Sequence, residues 1–422
     1  MRKYWFRLDT AALIFPAIMR RNWRNVFRLS VTTKEEIDPQ LLQQAVDDLM
    51  PRFPSLYVRL CAGAFWYYLE QSKRPPQVRE DYAYPLSHMR AHELHTCCLR
   101  VLYYKNRIAV EFFHALTDGH GGSVYLRSLL AHYLYLRFGT QTPPDPEILT
   151  VDEAPSPDEL EDSFLKNSGD YAAGRSEETA YRLSGTPEKG GFRHLITGKI
   201  ETRRLVDMAH AYDCTLTAFL AAVMARCILD MQSRARPIHR QKPVKITLPV
   251  DLRRLYGSRT LRNFALTLNI GVHPKWGEYT LQELCSSIRH QLAAEATPQN
   301  MRARIAANVL PQRSLLLRLT PRFLKDLVMG LIYWDSGERK GCLNLSNLGV
   351  LHLPEELGAH VERFDFIIGV QRSYPNNCSV VSYGENTYIN FIRTIRETEL
   401  ERRFFSTLVE LGLPVAVESN AR

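Results

Sequence analysis

Apolar and polar residues alternate clearly in one stretch of the first third of the chain. Arg107-Ile-Ala-Val-Glu-Phe-Phe113 has apolar side chains of high β-propensity at every second position, which predicts a strand. His114 continues the apolar side of that strand. Residues 123–134 repeat apolar side chains at helical spacing, so we expect a helix after a short turn. A histidine therefore lies where a strand ends and a tight turn begins.

The rest of the first third shows the same two patterns, alternation typical of strands and the spacing typical of helices. Asp38 and Pro39 suit the N-cap and first position of a helix, and apolar residues recur at helical spacing from Leu41 to Leu49. Further strands are predicted at 24–32, 56–60, 65–69 and 98–104. With the strand before His114, they predict one antiparallel sheet covered by helices, an α+β layer.

Composition changes between the two halves of the chain. Prolines cluster from 143 to 157, acidic residues dominate 152–162, and glycine and serine follow. Such a stretch is typical of a linker or a surface loop. We therefore divide the chain into an N-terminal subdomain at 1–150, a linker at 151–185 and a C-terminal subdomain at 186–422.

The second half predicts another layer of strands and helices. Its most apolar helix, at 216–229, is apolar on almost every side, which indicates a buried central position. Strands are predicted at 194–200, 244–250, 263–270, 343–345, 363–370, 379–383 and 387–392. Other helices are predicted at 202–212, 279–298 and 397–411. Residues 302–332 form a basic, leucine-rich helical region, interpreted as a solvated face, with Arg302, Arg304, Arg313, Arg318, Arg322 and Lys325.

Composition and charge exclude several classes of protein. The 422 residues are 45% hydrophobic and 23% charged, as in globular chains with two or three domains. The eight cysteines include no CxxC pair, so we predict neither a metal site nor disulfides and expect a cytoplasmic protein. The apolar stretch 11–19 is too short and too interrupted for a signal peptide. No stretch approaches the ~18–20 apolar residues of a membrane span.

The net charge of +9 suits an anionic partner, such as cofactor phosphates, nucleic acid or lipid headgroups, and it equally suits simple solubility. The sequence contains no dedicated nucleic-acid motif, so we predict no nucleic-acid partner. Peripheral contact with a membrane surface stays open as an alternative.

The segment His114-Ala-Leu-Thr-Asp-Gly119 places an imidazole and a carboxylate close together. A neutral imidazole, with an ordinary pKa of ~6.5, is suited to remove a proton from an alcohol at neutral pH. The carboxylate of Asp118 could orient that imidazole, as in a catalytic triad. Gly119, Gly121 and Gly122 suit positive φ or the close approach of a ligand, although a plain turn explains the last two almost as well.

Three other stretches occur in a fixed order with this HxxxDG motif. They are Arg52-Phe-Pro-Ser-Leu56, Leu248-Pro-Val-Asp-Leu-Arg-Arg254 followed by Arg262-Asn-Phe264, and Asn344-Leu-Ser-Asn-Leu-Gly349. Together they resemble the superfamily of CoA-dependent acyltransferases and condensation domains, and most of all its alcohol acetyltransferase-like branch. Two positions depart from the pattern: Arg262 replaces a glycine, and Phe113 replaces the first histidine that condensation domains usually carry.

The resemblance implies two chloramphenicol acetyltransferase-like α/β sandwich subdomains with mixed, largely antiparallel sheets, an α+β fold. A channel would run between them, and part of the C-terminal half would cross over to complete the first sheet. It implies that His114 is the general base of acyl transfer from acyl-CoA, acetyl-CoA above all, to an alcohol. It also implies that Asp118 pairs with Arg253 as a structural element beside Gly119. Ser346 and Asn347 are candidate donors to an oxyanion or the substrate, with strand-edge hydrogen bonding as the competing interpretation.

Other functions remain open from the sequence. The same base would serve N-acylation of an amine or transfer from a carrier-protein thioester, which makes a carrier protein an alternative partner. A non-catalytic binding member of the fold is a further alternative, against which the intact His114, Asp118 and Arg253 argue. The identity of the acceptor and the length of the acyl chain depend on side chains that line a channel.

Overall fold

The computed structural model describes residues 4–19, 25–172, 177–314, 318–371 and 374–420, and within these ranges the strands form three sheets. The first sheet runs in the order β12 (Val361–Ile367), β2 (Val26–Thr33), β7 (Arg107–Phe113), β6 (Leu99–Tyr104) and β5 (Arg79–Glu80). A small sheet contains β1 (Trp5–Arg7), β4 (Tyr67–Gln71) and β3 (Val58–Ala62). The largest runs β10 (Ala265–Val272), β9 (Val244–Asp251), β11 (Leu343–Val350), β13 (Asn376–Tyr383), β14 (Asn386–Arg393), β8 (His194–Glu201) and β15 (Ala416–Ser419).

Helices cover the faces and edges of these sheets. The helices of the N-terminal part and of the segment after it are α1 (Ile14–Ala17), α2 (Pro39–Leu49), α3 (Ala91–Leu94), α4 (Gly119–Phe138), α5 (Pro157–Leu160) and α6 (Ser163–Lys166). The later ones are α7 (Thr202–Ala211), α8 (Leu216–Ala235), α9 (Arg253–Tyr256), α10 (Leu281–Glu295), α11 (Pro298–Arg313), α12 (Arg322–Ile332), α13 (Glu355–Gly358) and α14 (Glu399–Glu410).

The predicted α+β class is confirmed, with mixed and largely antiparallel sheets. Strand β11 pairs in parallel with both β9 and β13, and β5 pairs in parallel with β6, while the other pairs are antiparallel. The crossover implied by the resemblance is also present, because β12 from the second half pairs with β2, with Phe366 opposite Leu29.

The expectation of a single sheet in the first third was wrong. Strands β3 and β4 pair with each other and with β1, apart from the sheet that holds β7. Strand β2 pairs with β7 on one side, and on its other side it pairs with β12, far along the chain. Local periodicity gives the existence of a strand, but its partner depends on long-range packing.

Two hydrophobic cores lie under the sheets. The first packs α2 and α4 on β2 and β7, and it takes Phe364 and Phe366 from the crossover strand. The second surrounds α8, of which residues 218–225 are all buried, as its apolar sequence predicted. Among the described residues, α8 is long and apolar enough to span a membrane, but most of it lies inside this core. Phe164 and Tyr181, from the segment interpreted as a linker, also pack into the second core.

Candidate active site

His114 is the first residue after β7, and its surroundings hold the imidazole in one place. Its backbone N–H donates to the Asn25 carbonyl oxygen at 2.7 Å, which fixes the exit of the chain from the strand. The ring of Phe15, on α1, stacks on the imidazole with centroids 4.7 Å apart. Phe27, on β2, meets it edge-on at 5.2 Å. The ring therefore lies between two aromatic walls and keeps only part of its surface exposed.

The amide of Asn263 fixes the protonation of this ring. Asn263 Nδ2 donates to the His114 carbonyl oxygen at 3.0 Å, and that oxygen can only accept. The other amide atom, Oδ1, must then face the imidazole, where it lies 3.1 Å from Nδ1. Because an amide oxygen also only accepts, Nδ1 carries the proton and Nε2 keeps its lone pair.

Burial sets the charge of His114. Removal from water lowers the pKa of the imidazole below its ordinary value, while a backbone hydrogen bond, the charge of Asp118 and the hydrogen bond to the Asn263 amide oxygen partly offset this. The ring is consequently neutral at neutral pH, which is the state a general base requires.

Asp9 anchors the far side of the Asn263 amide. Its Oδ2 atom accepts from Asn263 Nδ2 at 3.2 Å, and Oδ1 accepts from the Ala12 backbone N–H at 2.7 Å. The Asp9 side chain is fully buried, and burial raises the pKa of its carboxyl to about 7, although Arg262 at 3.8 Å opposes the shift. Asp9, Asn263 and His114 thus form a continuous hydrogen-bonded chain that ends at the imidazole.

Asp118 pairs with Arg253, and no hydrogen bond to the imidazole is present among the described residues. The two guanidinium nitrogens Nη1 and Nη2 donate to the two carboxylate oxygens at 2.9 and 3.0 Å, a bidentate pair. Both residues are buried, with 6% and 5% of their surfaces exposed. Arg253 lies two residues after the end of β9 and opens α9, so the pair joins the motif turn to the second half of the chain.

Backbone groups complete the surroundings of this pair. The Asp118 carboxylate also accepts the N–H groups of Phe264 at 2.8 Å and Gly121 at 3.2 Å, the latter as N-cap of α4. Burial alone would raise the pKa of Asp118, but the Arg253 charge and these donors outweigh it and hold the pKa below its ordinary value. The carboxylate is therefore charged and fully engaged.

The glycines of the turn differ in how tightly they are packed. A Cβ on Gly121 would lie 2.2 Å from the Leu261 carbonyl oxygen and 2.2 Å from Thr117 Oγ1, so only glycine fits there. A Cβ on Gly119 would meet the Leu348 side chain of β11 at 3.1 Å. The turn is thus pressed against the second half, through Leu261 and Leu348.

Ser346 and Asn347 lie on β11, and within the described residues neither forms a hydrogen bond with His114. Asn347 Nδ2 donates to Thr217 Oγ1 at 3.0 Å, and its Oδ1 accepts the Gly349 N–H at 2.9 Å beside an irregularity in the strand. Asn347 is thus partly engaged in holding the strand edge. The described residues include no group of three or more His, Cys, Asp or Glu side chains that could hold a metal ion.

Comparison with known proteins begins with two negative results. No protein-family model matches the chain, and no curated protein matches it in sequence. Similarity appears in the solved structures, where alignments extend over nearly the whole chain.

Three solved structures illustrate the similarity. Polyketide synthase associated protein 5 from Mycobacterium tuberculosis aligns with a TM-score of 0.61 at 18% identity, covering 97% of each chain. Trichothecene 15-O-acetyltransferase from Fusarium sporotrichioides aligns with a TM-score of 0.62 at 12% identity, covering 97% of this chain and 94% of that one. The starter condensation domain of rhizomide synthetase aligns with a TM-score of 0.59 at 15% identity, covering 96% and 94%.

The chain has the fold of CoA-dependent acyltransferases and condensation domains. At these identities the likeness concerns the fold alone, and an epimerization domain of tyrocidine synthetase shares it with a TM-score of 0.59. The reaction must therefore be argued from the residues at the site.

Sequence reasoning missed two residues of this site. Asn263 was assigned to a strand at 263–270, but β10 begins at Ala265, so Asn263 lies in the preceding loop, where its amide reaches His114. Its position directly after Arg262 in the Arg-Asn-Phe segment was the available signal. Asp9 lies 254 residues before Asn263 and gave no local signal.

The glycine-to-arginine departure at position 262 has a structural consequence. The Arg262 guanidinium donates to the Arg7 carbonyl oxygen of β1 and lies near Asp9. Its own carbonyl oxygen accepts from Arg253 Nη2 at 2.6 Å. This residue therefore links the N-terminal strand to the Asp118–Arg253 pair.

Proposed function

We propose that this protein is an acyl-CoA-dependent O-acyltransferase, with acetyl-CoA as donor and an alcohol as acceptor. The observation that carries the proposal is the setting of His114: Nδ1 lies 3.1 Å from the Asn263 amide oxygen, which favours a free lone pair on Nε2, and burial lowers the pKa of the ring. An imidazole prepared in this way, at the end of β7 in this fold, is suited to act as a general base.

The reaction begins when an acceptor hydroxyl reaches Nε2 of His114. The imidazole removes the hydroxyl proton as the oxygen attacks the thioester carbonyl carbon, which gives a tetrahedral oxyanion and an imidazolium. The Asn263 amide oxygen, 3.1 Å from Nδ1, stabilises the proton on Nδ1 while the ring is charged.

Collapse of the tetrahedral intermediate breaks the carbon–sulfur bond. The imidazolium returns its proton to the departing thiolate, so the products are an ester and free CoA thiol, and His114 is neutral again. No group of the protein becomes acylated in this scheme, because the acceptor attacks the thioester directly.

Asp118 and Arg253 act in this proposal as a positioning pair. Their bidentate contact holds the turn that follows His114, and Gly119 and Gly121 allow that turn to pack closely on the second half. Asp118 does not act as the acid of a catalytic triad in this proposal, because its oxygens already accept from Arg253, Phe264 and Gly121.

Ser346 and Asn347 remain candidate donors to the oxyanion. Asn347 Nδ2 has one hydrogen engaged by Thr217, which leaves one for a ligand. A single well-placed donor contributes ~3 kcal/mol to the transition state, so alanine at the effective donor would lower kcat about 100-fold.

The similar structures support the choice of co-substrates. F. graminearum TRI101 is described in complex with CoA and deoxynivalenol, and with ethyl-CoA, so that protein of the same fold binds CoA, an S-ethyl derivative of CoA and a small molecule. We expect this chain to take an acyl-CoA and a hydroxylated small molecule in the same manner.

A second candidate function is acylation of an amine, or transfer from a carrier-protein thioester. The rhizomide synthetase condensation domain favours it, because a double mutant of that domain is described in complex with C8-CoA and Leu-SNAC, a small thioester that mimics a carrier-protein thioester. The same neutral imidazole would serve this reaction.

The test is the release of free thiol from acyl-CoA donors incubated with the purified protein and panels of alcohols and amines. We expect thiol release with acetyl-CoA and at least one alcohol, and its loss in His114→Ala. Release with amines only, or with S-acyl-N-acetylcysteamine only, would favour the second function. No His114-dependent thiol release from any CoA ester would refute the proposal.

A further inference from the structure

Helix α12 presents its polar side to the protein. Lys325 is 5% exposed, and its Nζ donates to the Phe65 carbonyl oxygen at 3.1 Å and the Arg318 carbonyl oxygen at 3.3 Å. The same ammonium lies 3.5 Å from the centroid of the Trp66 ring. One turn of the helix is therefore anchored by a buried cation, and the predicted solvated basic face is wrong for Lys325.

Neighbouring polar residues of α12 face the same way. The Tyr67 hydroxyl donates to Asp326 Oδ2 at 3.1 Å, and the Arg322 guanidinium lies 4.8 Å from the Tyr67 ring centroid. One side of α12 lines a cleft with four residues at helical spacing: Arg322, Lys325, Asp326 and Met329. The rest of the cleft is lined by Leu8, Leu13, Phe65, Trp66 and Tyr67.

The apolar side of α12 consequently faces outward. Six residues at positions i, i+1, i+4, i+5, i+8 and i+9 are exposed: Phe323 69%, Leu324 43%, Leu327 62%, Val328 48%, Leu331 60% and Ile332 54%. Ordinary surface helices have the opposite arrangement, with the apolar stripe against the core. A contiguous exposed apolar surface of this kind marks a site of interaction.

The exposed stripe extends beyond both ends of the helix. Trp334 follows it at 50% exposure, Leu319 precedes it at 64%, and Phe65, whose carbonyl anchors Lys325, is 45% exposed. We call these residues together with the six of α12 the α12 surface. It contains an indole at one end, as apolar surfaces that contact membrane interfaces commonly do.

Cations border the α12 surface. Trp334 lines a cavity of about 260 Å³ together with four basic side chains, from Arg182, Arg236, Lys242 and Arg339. The Arg339 guanidinium lies 4.6 Å from the Trp334 ring centroid. Arg313 and Arg318 are exposed near the other end. Among the residues that the structure describes, no acidic residue lines the cavity, although Asp335 Oδ1 lies 3.6 Å from Arg339 Nη1 beside it.

We propose that the α12 surface docks on a bilayer of anionic phospholipids. The apolar stripe would enter the boundary between headgroups and acyl chains, and the cations around Trp334 would contact lipid phosphates. A second copy of this chain fits the charges less well, because a symmetric contact would bring the two sets of cations together with few acids to compensate. The chain's net charge of +9 favours an anionic surface in the same way.

Sedimentation of the full-length protein with vesicles tests the proposal without substrates, so it is independent of the proposed function. We expect binding to vesicles of phosphatidylcholine mixed with phosphatidylglycerol, weaker binding to phosphatidylcholine alone, and a decrease with salt. Leu327→Gln with Leu331→Gln should weaken binding to both compositions by about tenfold or more. Arg236→Gln with Lys242→Gln should weaken binding to the mixed vesicles by about fivefold for each charge and leave phosphatidylcholine binding unchanged.

A matched control uses exposed apolar residues outside the α12 surface. Leu165 and Val409, on α6 and α14, are 52% and 54% exposed, so Leu165→Gln with Val409→Gln changes a similar area. This variant should bind vesicles as the unchanged protein does, and all three variants should keep its melting temperature. Equal loss in the control, or no binding to mixed vesicles by the unchanged protein, would overturn the proposal. So would a dimer, seen by light scattering, that the Leu327 and Leu331 substitutions dissociate without any vesicle binding.

Discussion

The histidine end and the aspartate end of the HxxxDG turn are built in opposite ways. Asp118 is saturated: its two oxygens accept from Arg253, Phe264 and Gly121, and its charge is matched inside the protein. His114 is held by one neutral amide and two aromatic rings, and Nε2 has no assigned partner among the described contacts. The difference teaches that, within five adjacent residues, one side chain can anchor the turn while another stays available for reaction.

Replacing His114 should give the largest effect on turnover. His114→Ala removes the proposed base, so we expect kcat to fall by about 10²–10⁴-fold, the range for general-base catalysis. The variant loses a ring packed between Phe15 and Phe27, so the melting temperature should fall modestly while the protein stays folded. Steady-state thiol release and thermal unfolding measure the two, and retention of most of the rate would contradict the assignment.

Breaking the pair at the aspartate end should instead act on stability. Arg253→Met leaves the Asp118 charge buried without its partner, which costs about 3–5 kcal/mol of unfolding free energy. Adding Asp118→Asn removes that charge, and we expect the double variant to recover a large part of the loss. Urea unfolding of the two variants checks this, and equal stability of both would show that the pair does not anchor the turn.

Gly121→Ala tests how closely the turn is packed on the second half. The added Cβ would meet the Leu261 carbonyl at 2.2 Å, so we expect destabilisation of about 1–3 kcal/mol. Gly139→Ala is an informative contrast, because its Cβ would meet nothing within 4 Å and its cost would come from its φ of 71° alone. Unfolding that is unaffected by Gly121→Ala would contradict the packing.

The amide that holds the histidine end of the turn can be removed separately. Asn263→Ala deletes the acceptor for Nδ1 of His114, so the ring loses its fixed tautomer, and we expect kcat to fall about tenfold with a smaller change in KM. A purely structural role for Asn263 would lower stability without this selective loss of kcat.

The pH dependence of kcat/KM tests the lowered pKa of His114, and we expect it to show the smallest change of these measurements. Burial lowers the pKa of His114, so the base remains neutral as the pH is lowered from 8 to the ordinary histidine value of ~6.5. The rate should decline only below that value. The unfolded chain takes up this proton at higher pH than the folded one, so the same group contributes stability that is lost as pH falls below ~6.5. An acid limb centred above pH 7 would contradict the lowered pKa.

Much of the fold was accessible from the sequence because local signals agreed with it. Asp38 caps α2, with its carboxylate accepting from the Gln40 and Leu41 N–H groups, as its place before a proline predicted. The strand, turn and helix around His114 followed from periodicity. A crossover from the second half into the first sheet was expected only from the resemblance, and no local pattern identified β12 and β2 as the strands that pair.

The rest of the site required three dimensions. The hydrogen-bonded chain from Asp9 through Asn263 to His114 joins residues that are remote in sequence. The outward apolar side of α12 could not be predicted either, since an amphipathic pattern does not say which stripe meets the protein. The orientation of α12 is set by contacts to its polar stripe, which come from Tyr67, Trp66 and the Phe65 carbonyl.

The claim that Asp118 anchors the turn and that His114 carries the chemistry is tested most directly by Asp118→Asn. The substitution keeps the shape of the side chain but removes the charge that pairs with Arg253. Turnover and thermal unfolding should be measured on the same preparation, with turnover at a temperature where the variant is folded. The account predicts a lowered melting temperature and a kcat close to that of the unchanged protein. A normal melting temperature and KM with lost turnover would contradict it, and would show that Asp118 acts with His114 in the chemistry.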